Sequence, residues 1–152
     1  MKYILLNLII IFFLVGCGDD SPKMNSVTFN KVESIHKIFN KNQQLPTEIL
    51  EFNFVQYNII SSSWLPGPTD YTSYIRIKVK IANIEKWVNN LKSPFNNTTK
   101  YSSPHSPQTW WLPEAGFKDL TLYETKKYFN RYNGWLCIDK LNGYIYVYTF
   151  TQ

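Results

Sequence analysis

Tyr74-Ile75-Arg76-Ile77-Lys78-Val79-Lys80-Ile81 changes from apolar to polar at nearly every step. Successive side chains of a strand point to opposite faces. A period of two therefore puts Ile75, Ile77, Val79 and Ile81 on one face and Tyr74, Arg76, Lys78 and Lys80 on the other. One face suits a core and the other water, as in an antiparallel strand covered on one side. Residues 144–150 repeat the pattern, with Ile145 and Val147 alternating against Tyr144, Tyr146 and Tyr148. They are expected to form a hairpin with residues 135–139, closed around Lys140-Leu141-Asn142-Gly143, and Asn133-Gly134 just before it is a turn signal.

Outward from these strands the pattern changes period. Residues 49–60 are rich in Phe, Val, Tyr and Ile and predict a further strand. Val32, Ile35, Ile38 and Phe39 recur at helical spacing and predict an amphipathic helix over 29–40, with His36 packed beside its apolar stripe. Asn83 is a good N-cap for a second helix over 84–92, in which Ile84, Trp87, Val88 and Leu91 repeat at i, i+3, i+4 and i+7. Residues 120–124 begin another strand that extends toward 132. Between them, residues 93–109 carry Pro94, Pro104 and Pro107 without periodicity, a long irregular loop of the kind that is usually functional or mobile. The expected fold is α+β, with two helices packed on one face of an antiparallel sheet of about five strands. The opposite face, with Tyr74, Tyr144, Tyr146 and Tyr148 beside Arg76, Lys78 and Lys80, is expected to be phenolic, basic and wet.

Composition narrows the function. The chain has 152 residues, 44% of them hydrophobic and 18% charged, a globular balance that fits one domain. Collagen, coiled coil and wholesale disorder are excluded. Two cysteines without a C-x2-C pair give neither a disulfide scaffold nor a structural zinc site. A net charge of +5 without Lys/Arg blocks does not point to nucleic acid.

The amino terminus carries the most specific signal. Lys2 precedes an apolar run that ends in Leu14-Val15-Gly16-Cys17, the layout of a secretory signal, and the run is too short for a comfortable membrane span. Leu14-Val15-Gly16-Cys17 resembles the lipobox of bacterial lipoproteins. The resemblance implies cleavage before Cys17 and acylation of its sulfur and new amine. Two or more acyl chains anchor firmly where one binds reversibly. The organisation expected is a signal peptide over 1–16, a lipidated tether over 17–27 and a single α+β domain over 28–152. Gly18 after the cysteine, rather than aspartate, implies the outer membrane, facing the periplasm, over the inner membrane. Cys137 is then left without a partner and reads as a buried small hydrophobe.

Catalytic chemistry finds no foothold. There is no glycine-rich phosphate loop, Gly-x-Ser-x-Gly or His-Glu-x-x-His, and no catalytic residue, metal ligand or cofactor is expected. Two segments are candidates for contact with a protein partner. One is the stiff loop from Trp64 to Asp70 and Tyr71, interrupted by Pro66, Gly67 and Pro68. The other carries His105, Trp110 and Trp111, whose adjacent tryptophans point to opposite faces if extended. In each segment the aromatics serve either a partner or the protein's own core. The expected function is that of a membrane-anchored, non-enzymatic binding protein of the periplasm, of the kind that acts as an immunity or inhibitor protein against an envelope-acting toxin or hydrolase. The alternative is a binder of a small ligand or an envelope component such as peptidoglycan or lipid, which requires a concave pocket.

Overall fold

In the computed structural model the described residues are 24–29, 38–40, 42–59, 70–89, 91, 100–130 and 133–151. They form an antiparallel sheet with two short helices, the α+β class expected. The strands are β1 (Met24–Phe29), β2 (Glu51–Ile59), β3 (Asp70–Lys78), β4 (Leu122–Tyr123), β5 (Gly134–Asp139) and β6 (Tyr144–Phe150). Their order across the sheet is β1-β2-β3-β6-β5-β4. The carboxy-terminal strand thus sits in the middle and joins the two halves of the chain.

Register brings the aliphatic faces together. Ile75 lies opposite Phe54 on one side and Val147 on the other, and Ile77 lies opposite Phe52 and Ile145. Leu136 and Ile138 continue the same face on β5. This layer packs against Ile38, Phe39, Ile84, Trp87, Tyr128 and Phe129. The polar ends of its large aromatics are satisfied. Trp87 Nε1 donates to Thr47 Oγ1 at 2.9 Å, and the Tyr128 hydroxyl donates to the Trp87 carbonyl at 2.9 Å. Such pairing lets a tryptophan or tyrosine be buried without leaving a polar atom stranded.

The helices are shorter than the periodicity predicts. β3 ends at Lys78, a 3-10 turn spans Ile81–Asn83, and α1 covers Ile84–Val88. Asn83 does occupy the N-cap position, but its side chain makes no capping hydrogen bond. The helix expected over 29–40 lies largely outside the described residues. At its described ends, Phe29 closes β1, while Ile38 is in a turn and Phe39 bridges Phe129. β1 also begins at Met24, so strand pairing starts inside the stretch assigned to the tether. The strand expected from residue 120 is reduced to the two residues of β4, followed by a 3-10 turn at Thr125–Lys127.

The second face of the sheet departs most from expectation. Val55, Tyr57, Tyr74, Trp135, Cys137 and Tyr146 are buried beneath Trp111, Leu112, Phe117 and Leu122. Residues 100–120, whose first ten belong to the irregular loop expected over 93–109, close over that face and include the short helix α2 (Glu114–Phe117). α1 and α2 therefore lie on opposite faces of the sheet. Tyr57 and Tyr74 make this cover possible, because each offers a large apolar ring and a hydroxyl that bonds the covering segment. The Tyr74 hydroxyl pairs with Ser102 Oγ and the Tyr57 hydroxyl with Ser106 Oγ, both at 2.9 Å. From above, Tyr101 donates to the Leu112 carbonyl at 2.7 Å, and Trp111 Nε1 donates to the Ser102 carbonyl at 3.1 Å. Burial pushes the phenols of Tyr74 and Tyr146 up to about 12, so both stay neutral at any physiological pH. The wet phenolic face is thus a second core layer.

Candidate binding surface

The segments singled out from sequence fall apart in space. Trp111 is only 8% exposed, with ring contacts to Tyr74 at 5.1 Å, Tyr146 at 5.8 Å and Trp135 at 5.9 Å. It belongs to the core. Trp110 is half-buried, edge-on to Trp111. His105 is exposed and stands edge-on to Tyr57 at 5.0 Å. Asp70 and Tyr71 open β3 and are tied to the chain's last described residue. The Tyr71 amide donates to Thr151 Oγ1 at 2.7 Å, and Thr151 Oγ1 donates to Asp70 Oδ1 at 3.3 Å. Trp64 and Cys17 lie outside the described residues. Cys137 is fully buried, and burial pushes its thiol well above the usual range, the opposite of what a nucleophile needs. Among the described residues no group of three or more His, Cys, Asp or Glu side chains converges on one point.

A different surface emerges at one end of the sheet. Among the described residues the exposed large apolar side chains are Leu50 (44%), Ile81 (56%) and Leu141 (87%). Single exposed leucines are ordinary, but these share a location. The Leu50 amide bonds the Lys78 carbonyl at 2.8 Å, and the Val79 amide bonds the Gly143 carbonyl at 3.0 Å. The exit of β3 thereby lies between Leu50 and the β5–β6 turn that bears Leu141. That turn is fixed from within. Asp139 accepts the Asn142 amide at 3.1 Å and its side-chain amide at 2.8 Å. Gly143 takes a φ of 68°, and a Cβ there would come within 2.7 Å of the Val79 carbonyl. The result presents Leu141 outward on a rigid support.

Cations surround this apolar group. Lys78 Nζ sits 4.0 Å above the Tyr144 ring and donates to the Asn142 carbonyl at 2.6 Å. Arg76 stacks on the same ring at 4.8 Å while bonding Asn53 at 2.8 Å. Lys80 is exposed. Lys140 pairs with Glu85 at 2.9 Å, and that hydrogen bond holds its ammonium above its ordinary value. Below Leu141 and Lys140 a hollow of about 320 Å³ runs past Ile138 to Leu120 and Tyr123, with Asp119 and Asp139 in its wall. It opens because β4 pairs only with Leu136 and Cys137, leaving the last two residues of β5 beyond its reach.

Sequence reasoning missed this surface for definable reasons. Strict alternation assigns Ile81 to the aliphatic face, but the strand stops at Lys78 and the 3-10 turn rotates Ile81 outward. Leu141 did carry a signal, since an apolar residue at the tip of a four-residue hairpin loop has no core within reach. No protein family, curated protein or solved structure matches this chain.

Proposed function

We propose that this protein is a lipid-anchored, non-enzymatic binding protein of the bacterial envelope that engages a protein partner through the Leu50–Ile81–Leu141 end of its sheet. The observation that carries the reading is the position of those three side chains. They lie at the end of the sheet opposite Met24, where the chain arrives from Cys17. A body held by its amino terminus presents its far end outward. An apolar centre with Lys78, Lys80 and Lys140 around it suits a partner surface that is apolar at its middle and acidic at its rim. An immunity or inhibitor protein against an envelope-acting toxin or hydrolase needs nothing more than such a surface, because it acts by occupying its target.

Two experiments test the reading. Cys17→Ser is expected to abolish lipid labelling in the native host and to move the protein out of the membrane fraction. Protein from that host with an unmodified amino-terminal methionine overturns the anchor. For the surface, a photo-crosslinking residue at position 141 is expected to trap one envelope protein in intact cells. Lys78→Glu together with Lys80→Glu should reduce that adduct at least tenfold. The fold should be unaffected by Leu141→Asp, since exposed substitutions stay within about 0.5 kcal/mol. An adduct that survives the charge reversals, or none from position 141, rejects the surface.

A further inference from the structure

At the other end of the sheet an open cleft of about 410 Å³ is lined by Lys100, Tyr101, Ser102, Trp135, Tyr148 and Phe150. Its size is in the range of small-molecule sites, about 300–1,000 Å³. Its walls are aromatic rings arranged in a continuous cluster. Trp135 and Tyr148 lie 5.7 Å apart, and Tyr148 and Phe150 5.4 Å apart. Its polar groups are one-sided. Lys100 is exposed and in none of the ion pairs found among the described residues. Trp135 is 1% exposed, and its indole N–H has no hydrogen-bond acceptor. The carbonyl of Ser102 is already taken by Trp111, and its hydroxyl by Tyr74. Lys100 is the one formally charged side chain among the lining residues, so the cleft suits an anionic ligand.

Register locates the cleft relative to the membrane. Met24 pairs with Ile59, Ile59 with Asp70, Thr72 with Phe150, and Thr149 with Gly134. The cleft is therefore at the same end of the sheet as the start of β1. Only six residues separate Cys17 from Met24. Fully extended they span about 20 Å, at up to about 3.6 Å per residue. An acylated Cys17 holds this end of the body at the lipid surface. Aromatic rings with an amphipathic tip favour that interface, and a lysine near it is attracted to anionic lipid.

We infer that the Lys100–Trp135–Tyr148–Phe150 cleft seats the phosphate headgroup of an anionic phospholipid, adding an oriented contact to the acyl anchor. Lys100 supplies the charge, and the rings of Tyr148 and Phe150 flank the glycerol portion. The orientation rests on the anchor proposed above, but the binding chemistry belongs to the folded body and is measured separately.

The mature full-length protein, in non-ionic detergent micelles, is titrated with short-chain dihexanoyl phosphatidylglycerol and its phosphatidylcholine counterpart, followed by amide NMR shifts of Ser102, Gly134 and Phe150. Phosphatidylglycerol is expected to bind at least tenfold more tightly than phosphatidylcholine. Lys100→Glu should remove that preference, and Lys100→Arg should keep it. Tyr148→Phe keeps the flanking ring and should leave both the fold and the preference for phosphatidylglycerol unchanged. Equal affinity for the two lipids overturns the proposal, as does an unchanged preference in Lys100→Glu. So does inorganic phosphate or a carboxylated sugar binding as tightly as the lipid. Mass spectrometry of Cys17 on the same sample reports the anchor independently, so binding by an unacylated chain breaks only the orientation, and an acylated chain without binding breaks only the cleft.

Discussion

Trp111→Ala is expected to lower unfolding stability by about 3–5 kcal/mol, the usual loss for truncating a buried tryptophan. Trp111 is where residues 100–120 grip the second face of the sheet. Its ring touches Tyr74, Trp135 and Tyr146, and its indole N–H secures the Ser102 carbonyl. Removing it strips cover from three aromatics at once and unseats the hydrogen bond that holds the start of the segment. Urea unfolding should show the midpoint falling steeply, while amides of residues 100–120 lose hydrogen-exchange protection before those of β3 and β6. Trp111→Phe keeps a ring and should recover part of the loss. Trp110→Ala is expected to cost much less, because that side chain is only half-buried. If Trp111 served a partner instead, the midpoint would stay in place and only binding would suffer.

The strands were legible because period-two alternation is a direct consequence of backbone geometry and needs no knowledge of what lies above the sheet. Tyr74–Ile81 and residues 144–150 each announced a strand, and the structure makes β3 and β6 neighbours with Ile75 opposite Val147. What alternation cannot report is whether the second face is open. Tyrosine is ambiguous in this respect, since it closes a core as readily as it meets water. Tyr74 and Tyr57 resolve toward the core because Ser102 and Ser106, far along the chain, bring partners for their hydroxyls, and Tyr146 because Trp111 covers its ring. The covering segment itself has no period to detect. It is held by prolines, serines and isolated aromatics, and its contacts are all tertiary.

The candidate surface was less legible than the fold, and for a related reason. An aromatic in a loop signals burial or recognition with equal force, and Trp111 went to the core. Exposure of Ile81 and Leu141 depends on where strands end, which is the least certain feature of a sequence pattern. The net charge of +5 says nothing about location, whereas the structure sets Arg76 and Lys78 on one tyrosine ring beside the exposed leucines. The anchor signal sits in the first residues and is independent of all of this. Legibility of destination and legibility of partner are separate properties of a sequence.

Gly134→Ala is expected to disrupt folding altogether, a loss on the order of 4 kcal/mol or more, at the far end of single-substitution effects. Asn133-Gly134 marks the entry to β5, and Gly134 takes a φ of 115°, which side-chain-bearing residues rarely adopt. Space is the stronger constraint. A Cβ at this position would stand 1.9 Å from the Tyr148 carbonyl oxygen and 2.9 Å from the Thr149 Cα, both on the backbone of β6. Neither can yield without opening the β5–β6 pairing where Gly134 faces Thr149. That pairing also places Trp135 beside Tyr148, so both the second core layer and the cleft depend on it. Gly116→Ala is the matched control. Its φ is not in the left-handed region, and its nearest neighbour is the mobile tip of Leu112 at 3.2 Å, so the change should stay within about 1 kcal/mol. Circular dichroism and urea midpoints on the two variants read the contrast directly. A Gly134→Ala protein with a native-like midpoint would show that β5 does not approach β6 as closely as the register requires.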